Sequence, residues 1–284
     1  MDIVSAERGA WVSIYTYLIL STLKLFIGNI ANSEALSADG LNNFTDIIAS
    51  VAVLIGLKIS KKPRDKNHPY GHSRAENISS LLASFIMMVI GFQVLYEAVQ
   101  SLWHQEATTP NLLAALVGAG AAVVMFCVFL YNKRLADKLQ SGALKAVAKD
   151  NLSDALVSVG AVVGIIGAYF GLSWLDPLAA LVVGLIICKT AFEIFKETSL
   201  LLTDGFDEDK MGEYKEAVKA ITGVNDVKDL RARMHGNDVV LDVTVTVNPE
   251  LSVVRSHEIA DEIEEELETK HQISMIHVHI EPDH

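Results

Sequence analysis

The sequence predicts a polytopic α-helical membrane protein with six transmembrane helices, followed by a small α+β domain in the order α-β-β-α-β. Three observations predict it. Six apolar stretches each approach the ~20 residues needed to cross hydrocarbon. Lys and Arg in the intervening links are confined to two of them, and after residue 203 the pattern changes to short, acid-rich alternating elements. Residues 1–203 carry 15 acids and 15 bases, whereas residues 204–284 carry 20 and 8, so the whole net charge of −12 lies in the second part. The expected domains are therefore 1–203 and 204–284. An acidic tail argues against nucleic acid as a partner and suits cations.

The six stretches are 11–30, 36–59, 78–102, 112–130, 144–170 and 177–195. Helices buried in a water-soluble bundle rarely run this long with so few charges, which favours spans. Asp2 and Glu7 stand where a secretory signal carries basic residues, and no small-residue cleavage pattern follows the first stretch, so that span is expected to remain. The link after the second span holds Lys61, Lys62, Arg64, Lys66 and Arg74, and the link after the fourth holds Lys133, Arg134 and Lys138. The other three links hold no Lys or Arg. Positive links face the cytoplasm, which places both chain ends inside. Cys127 and Cys188 stand singly in apolar spans, without motif spacing, as packing residues do.

In the tail, 207–221 reads as a helix, 224–233 and 238–247 as strands, 252–270 as an acidic helix and 273–280 as a last strand. Val239, Leu241, Val243, Val245 and Val247 alternate with mainly polar residues, so one sheet face packs. In the last strand Ile276, Val278 and Ile280 share one face, and His277, His279 and Glu281 share the other.

The chemistry lies in two pairs. Asn42 and Asp46 recur one helical turn apart within the second stretch, and Asp150 and Asp154 repeat that spacing in the fifth. Positions i and i+4 share a helix face. Carboxylates within a membrane are costly unless they line a cavity or find a partner. If the two spans face each other, four side chains offer oxygen to one hard divalent ion. Metal and protons then compete for the same carboxylates, which makes proton-coupled exchange the natural mechanism. No imidazole or thiolate stands in either pair, so the donor set suits Mn²⁺ better than Zn²⁺, while Mg²⁺ and Ca²⁺ also fit oxygen. Asp39, three residues before Asn42, is expected to line the cavity or support the ligands. An intramembrane aspartyl hydrolase would also want two buried carboxylates, but neither pair has the neighbouring Gly and Tyr such sites carry.

Six spans, these pairs, a His-bearing loop and the tail pattern together resemble the cation diffusion facilitator family over essentially the whole chain. The most specific stretches are Leu36-Ser-Ala-Asp-Gly-Leu-Asn-Asn-Phe-Thr-Asp46, His68-Pro-Tyr-Gly-His-Ser-Arg-Ala-Glu76 and Asp150-Asn-Leu-Ser-Asp154. The resemblance implies a homodimer in the cell inner membrane, with a metallochaperone-like cytoplasmic tail. It would export divalent metal in exchange for protons, without cofactor or enzymatic activity. Zinc-type members carry His or Asp in place of Asn42 and often His in place of Asp150, so the combination here resembles the manganese branch. Zinc, ferrous iron or cadmium export by the same fold is the alternative, and a membrane-anchored metal-sensing scaffold is an alternative of another class. Asp65, His68 and His72 resemble a second metal site in the loop. His257, His279 and Glu281, helped by His277 or Asp242, resemble a reduced tail site, since Lys228 and Thr244 stand where two-metal members carry His. Arg74 and Asp204 match a charge interlock of related proteins.

Overall fold

The computed structural model describes residues 3–104, 110–139, 142–235 and 238–283. Six helices, α1 (Ile3–Ile30), α2 (Glu34–Ser60), α3 (Ala75–His104), α4 (Leu112–Leu139), α5 (Gly142–Tyr169) and α6 (Leu175–Leu202), are each long and apolar enough to cross a membrane. The tail adds α7 (Glu208–Lys219), β1 (Asp226–His235), β2 (Asp238–Val247), α8 (Val253–His271) and β3 (Met275–Pro282). In space the chain forms two compact units, one of Met1–Val53 with Leu82–Ile194 and the other of Leu54–Leu81 with Phe195–His284.

The first unit reverses the pattern of a water-soluble protein. Ile19, Val89 and Leu116 are about two-thirds exposed, while Lys24, Asp39, Asn43, Asn132, Asn151 and Ser158 are fully buried. Hydrocarbon around the bundle explains both facts, because lipid accepts apolar side chains and polar groups must find partners inside. Small residues let the backbones approach. Ala31, Ala35, Ala114, Ala115 and Ala161 form one buried seam, and Ala38, Ala98 and Ala180 sit in another with Val94, Val183 and Ile187. Gly91 of α3 faces Cys188 of α6 so closely that an added Cβ would lie 2.6 Å from its Sγ. Cys188 is therefore a packing residue as expected, whereas Cys127 is exposed.

A polar clamp sets the start of α2. Asp176, at the first turn of α6, accepts hydrogen bonds from the backbone N–H of Glu34 (2.6 Å) and Ala35 (3.3 Å) and from the Ser33 hydroxyl (2.7 Å). Ser33 Oγ in turn accepts from Leu36 N at 3.1 Å, so a serine and a distant carboxylate share the helix's otherwise unpaired N–H groups.

In the tail domain the sheet order is β1-β2-β3, with β1 antiparallel to β2 and β2 parallel to β3. The parallel pair requires a crossover, which α8 supplies. Tyr214, Val218, Ile259, Ile263 and Leu267 of the helices cover one sheet face, packing on Leu241, Val243, Val245 and Val247 with Ile276, Val278 and Ile280. Asp207 and Ser252 cap the two helices as N-cap residues.

Strand starts differ from the sequence reading. β1 begins at Asp226, two residues later than expected, because Gly223 at φ +103° turns the chain first. Ile273 completes the C-terminal cap of α8 instead of opening β3: Gln272 is left-handed, the Ile273 N–H reaches Leu267 O at 3.4 Å, and the side chain is buried. Lys228 is the extra residue of a β-bulge, since the register steps from Val227↔Val245 to Asp229↔Thr244.

Candidate metal centre

Among the described residues a direct side-chain hydrogen bond joins α2 to α5. Asn42 Nδ2 donates to Asp154 Oδ1 at 3.0 Å, and both residues are buried. The amide nitrogen is thus committed to Asp154, and the amide oxygen is the atom Asn42 can offer a cation. Tyr17 of α1 donates to the other Asp154 oxygen at 2.7 Å. Behind it runs a buried chain of amides and a hydroxyl: Asn151 Nδ2 donates to Tyr17 Oη (2.9 Å), and Asn132 Nδ2 donates to Asn151 Oδ1 (2.8 Å) and Ser13 Oγ (2.9 Å). Each member orients the next, so the Asp154 carboxylate is held in a fixed direction.

Asp46 lies one turn along α2 from Asn42, and its buried Oδ2 has no hydrogen-bond partner among the described residues. Asp150 is exposed at the same side of α5 as Asp154. The four oxygen sources therefore divide: Asn42 and Asp154 touch, Asp46 presents an unpaired oxygen, and Asp150 stands at the rim. Among the described residues the three carboxylates do not close to within 4.8 Å of one another.

Sequence reasoning missed Lys24 and Tyr17. Asp39, expected to line the cavity or support the ligands, forms a fully buried ion pair with Lys24 at 2.9 Å. The signal was present: Ser13, Tyr17 and Lys24 fall at intervals of four and seven on one face of α1, and Lys24 is the only charge in residues 11–30.

The loop residues do gather. Ligand atoms of Asp65, His68 and His72 all lie within 4.8 Å of one another, and the two imidazole rings are 4.2 Å apart. Asp65 Oδ1 accepts from His68 N (2.7 Å), Asn67 N (2.9 Å) and the His68 ring (3.0 Å), and Oδ2 lies 3.5 Å from His72 Nε2. The His68 backbone N–H, with the His68 ring and the Asn67 N–H, holds the Asp65 carboxyl below its ordinary range. Asp65→Ala is expected to speed hydrogen exchange at the Asn67 and His68 amides about tenfold, read by NMR in micelles. Unchanged exchange would show that the turn does not depend on this carboxylate. Arg74 Nη2 meets Asp204 Oδ1 at 2.5 Å, as the charge interlock anticipates.

The tail residues do not gather within one chain. His279 Nε2 lies 3.7 Å from Glu281, whose other oxygen is taken by Lys228 Nζ at 2.5 Å. His257 sits beside Asp261 on α8, 3.8 Å away. The cause is the layering: α8 covers the apolar sheet face through Ile259, Ile263 and Leu267, leaving His257 exposed on the helix, whereas His279 and Glu281 alternate onto the opposite sheet face. His277 pairs with Asp242 (3.1 Å) instead. His235, at the end of β1, contacts the Tyr70 carbonyl at 3.0 Å.

Comparison with known proteins gives a consistent picture. The cation efflux transmembrane domain family matches residues 10–203, and the cation efflux protein cytoplasmic domain family matches residues 206–283. The manganese efflux system protein MneS of Bacillus subtilis is 54% identical over 99% of this chain and 97% of its own length. The manganese efflux system protein MneP of the same organism is 29% identical over 98% of this chain and 96% of its own length. A solved C-terminal domain of the magnetosome protein MamM is 29% identical, covers 28% of this chain and all of its own, and gives a TM-score of 0.27.

Proposed function

The chain belongs to the cation diffusion facilitator family, in its manganese-type branch, and from that premise we propose that it exports Mn²⁺ from the cytoplasm in exchange for protons. It is a multi-pass membrane transporter, not an enzyme. Asn42, Asp46, Asp150 and Asp154 are the transport ligands. The observation that carries this reading is the buried Asn42–Asp154 contact across α2 and α5, with the unpaired Asp46 oxygen one turn away.

Three carboxylates and one amide present oxygen alone, the donor type of Mn²⁺ rather than of Zn²⁺. A carboxylate binds metal only when deprotonated, so ion release is coupled to proton uptake at the same oxygens. The exposed position of Asp150 beside buried Asp154 fits a site that completes its ligand set as helices rock. The similarity to the manganese efflux system proteins MneS and MneP supports the same metal.

By the positive-inside rule the basic links support a plasma-membrane orientation with both termini in the cytoplasm, 1–203 being the transport domain and 204–284 the regulatory and dimerisation domain. Asp65, His68 and His72 form an accessory metal site. Because His257 and the His279–Glu281 pair lie on opposite sides of one tail domain, a tail site built from them draws on both subunits of a homodimer.

The test is uptake into inverted vesicles. Wild-type protein should favour Mn²⁺ over Zn²⁺, and Asn42→His should move that ratio toward Zn²⁺ by about tenfold, because imidazole suits zinc. An unchanged ratio in Asn42→His and Asn42→Asp would remove the selectivity argument. Absence of Mn²⁺ flux in proteoliposomes under a proton gradient would favour a sensing scaffold instead.

A further inference from the structure

Transport as described leaves Lys24 without a task. Its side chain is fully buried, and its ammonium is ringed by three oxygens from two other helices: Asp39 Oδ2 at 2.9 Å, Asn43 Oδ1 at 2.6 Å and Ser158 Oγ at 2.9 Å. These residues extend the ladder that carries the transport ligands. Asp39 precedes Asn42 by three positions and Asn43 precedes Asp46 by three, while Ser158 follows Asp154 by four. Residues at such intervals share a helix face. Helices α2 and α5 therefore build two consecutive oxygen cages along one seam, and α1 threads an ammonium into the second.

The chemistry of that second cage is that of a hard-cation site: one carboxylate, one amide oxygen and one hydroxyl. Its oxygen capacity exceeds what Lys24 uses, since Asp39 Oδ1 has no hydrogen-bond partner among the described residues. Fold stability alone is a weak account of such a pair, because buried ion pairs are often no more stabilising than apolar packing of the same volume. Its place on the ligand ladder is the better account.

We propose that Lys24 is a tethered cation that fills the second oxygen cage and so confines metal to the Asn42–Asp46–Asp150–Asp154 site. This rests on those residues being the transport ligands. In the orientation argued above, α2 runs inward from Glu34 and α5 runs outward, so the Lys24 cage lies on the outer side of the transport site. A departing ion meets a fixed positive charge where it would otherwise find another set of oxygens, and cannot rest there.

The test counts Mn²⁺ bound per protomer, by equilibrium dialysis of purified full-length protein in a choline buffer free of sodium and potassium. Lys24→Met should bind one ion more than wild type. The double variant Lys24→Met with Asp39→Asn should return to the wild-type count, because the emptied cage has lost its carboxylate. A residue that merely braces three helices would leave the count unmoved in both. If Lys24→Met does not fold, Lys24→Ala carries the same test, since it removes both the charge and the donor from the Asp39, Asn43 and Ser158 oxygens. A folded Lys24→Met or Lys24→Ala protein that keeps the wild-type count overturns the proposal. Asp154→Asn in parallel reports on the transport site separately: if it fails to lower the wild-type count, the ligand assignment fails, whatever Lys24 does.

Discussion

Asp154→Asn is expected to weaken Mn²⁺ binding at the membrane site by about two to three orders of magnitude, because ligand charge count sets affinity over that range, and to stop transport in inverted vesicles. Asp154 is the one residue that both touches Asn42 and is oriented from behind by Tyr17. An asparagine there has one acceptor oxygen where the carboxylate has two, so it cannot accept from the Asn42 amide and the Tyr17 hydroxyl through separate oxygens. The variant removes charge and geometry together. Binding measured by dialysis and flux measured in vesicles should fall in parallel, and wild-type flux in the variant would show that the ion travels elsewhere.

Asp176→Ala should cost about 2–4 kcal/mol of stability, the sum expected when buried backbone donors lose their acceptor. Asp176 is only 2% exposed, and with it go the contacts to Glu34 N, Ala35 N and the Ser33 hydroxyl. Helix termini inside a bundle have little water to replace such a partner. Thermal unfolding of the detergent-solubilised protein measures it. Asp176→Asn keeps an acceptor and should lose about half as much, while an unchanged midpoint for Asp176→Ala would mean that Ser33 alone suffices to cap α2.

Much of the architecture was legible because hydrocarbon is a strict solvent. Span number follows from apolar length, and the tail's layers follow from two-residue alternation in Val239–Val247 and Ile276–Ile280. That Asn42 shares a face with Asp46, and Asp150 with Asp154, was readable from i, i+4 spacing, whereas the meeting of the two helices was only a condition until the Asn42–Asp154 hydrogen bond supplied it. A lone charge such as Lys24 within an apolar stretch marks an interior group, but no local spacing ties it to Asp39 on another helix. Tyr17, Asn151, Asn132 and Ser13 were illegible for another reason, since uncharged polar residues in spans are common and only tertiary packing reveals that these form one chain. That the tail histidines do not meet within one chain was illegible, because residues of a strand and a helix can sit on opposite sides of a layer. The turn at Gly223 and the left-handed cap at Gln272 shifted strand starts through local backbone geometry that periodicity does not encode.

The Gly91–Cys188 contact has a mechanical consequence. Together with Gly184, where an added Cβ would lie 2.9 Å from Leu95, it interlocks α3 and α6 at two heights. Two rods notched into each other at separate levels cannot slide lengthwise past one another, because each notch would have to ride over its neighbour's side chain. Whatever displacement carries an ion across must therefore turn this pair as one stiff lever, with slippage left to its borders with the remaining spans.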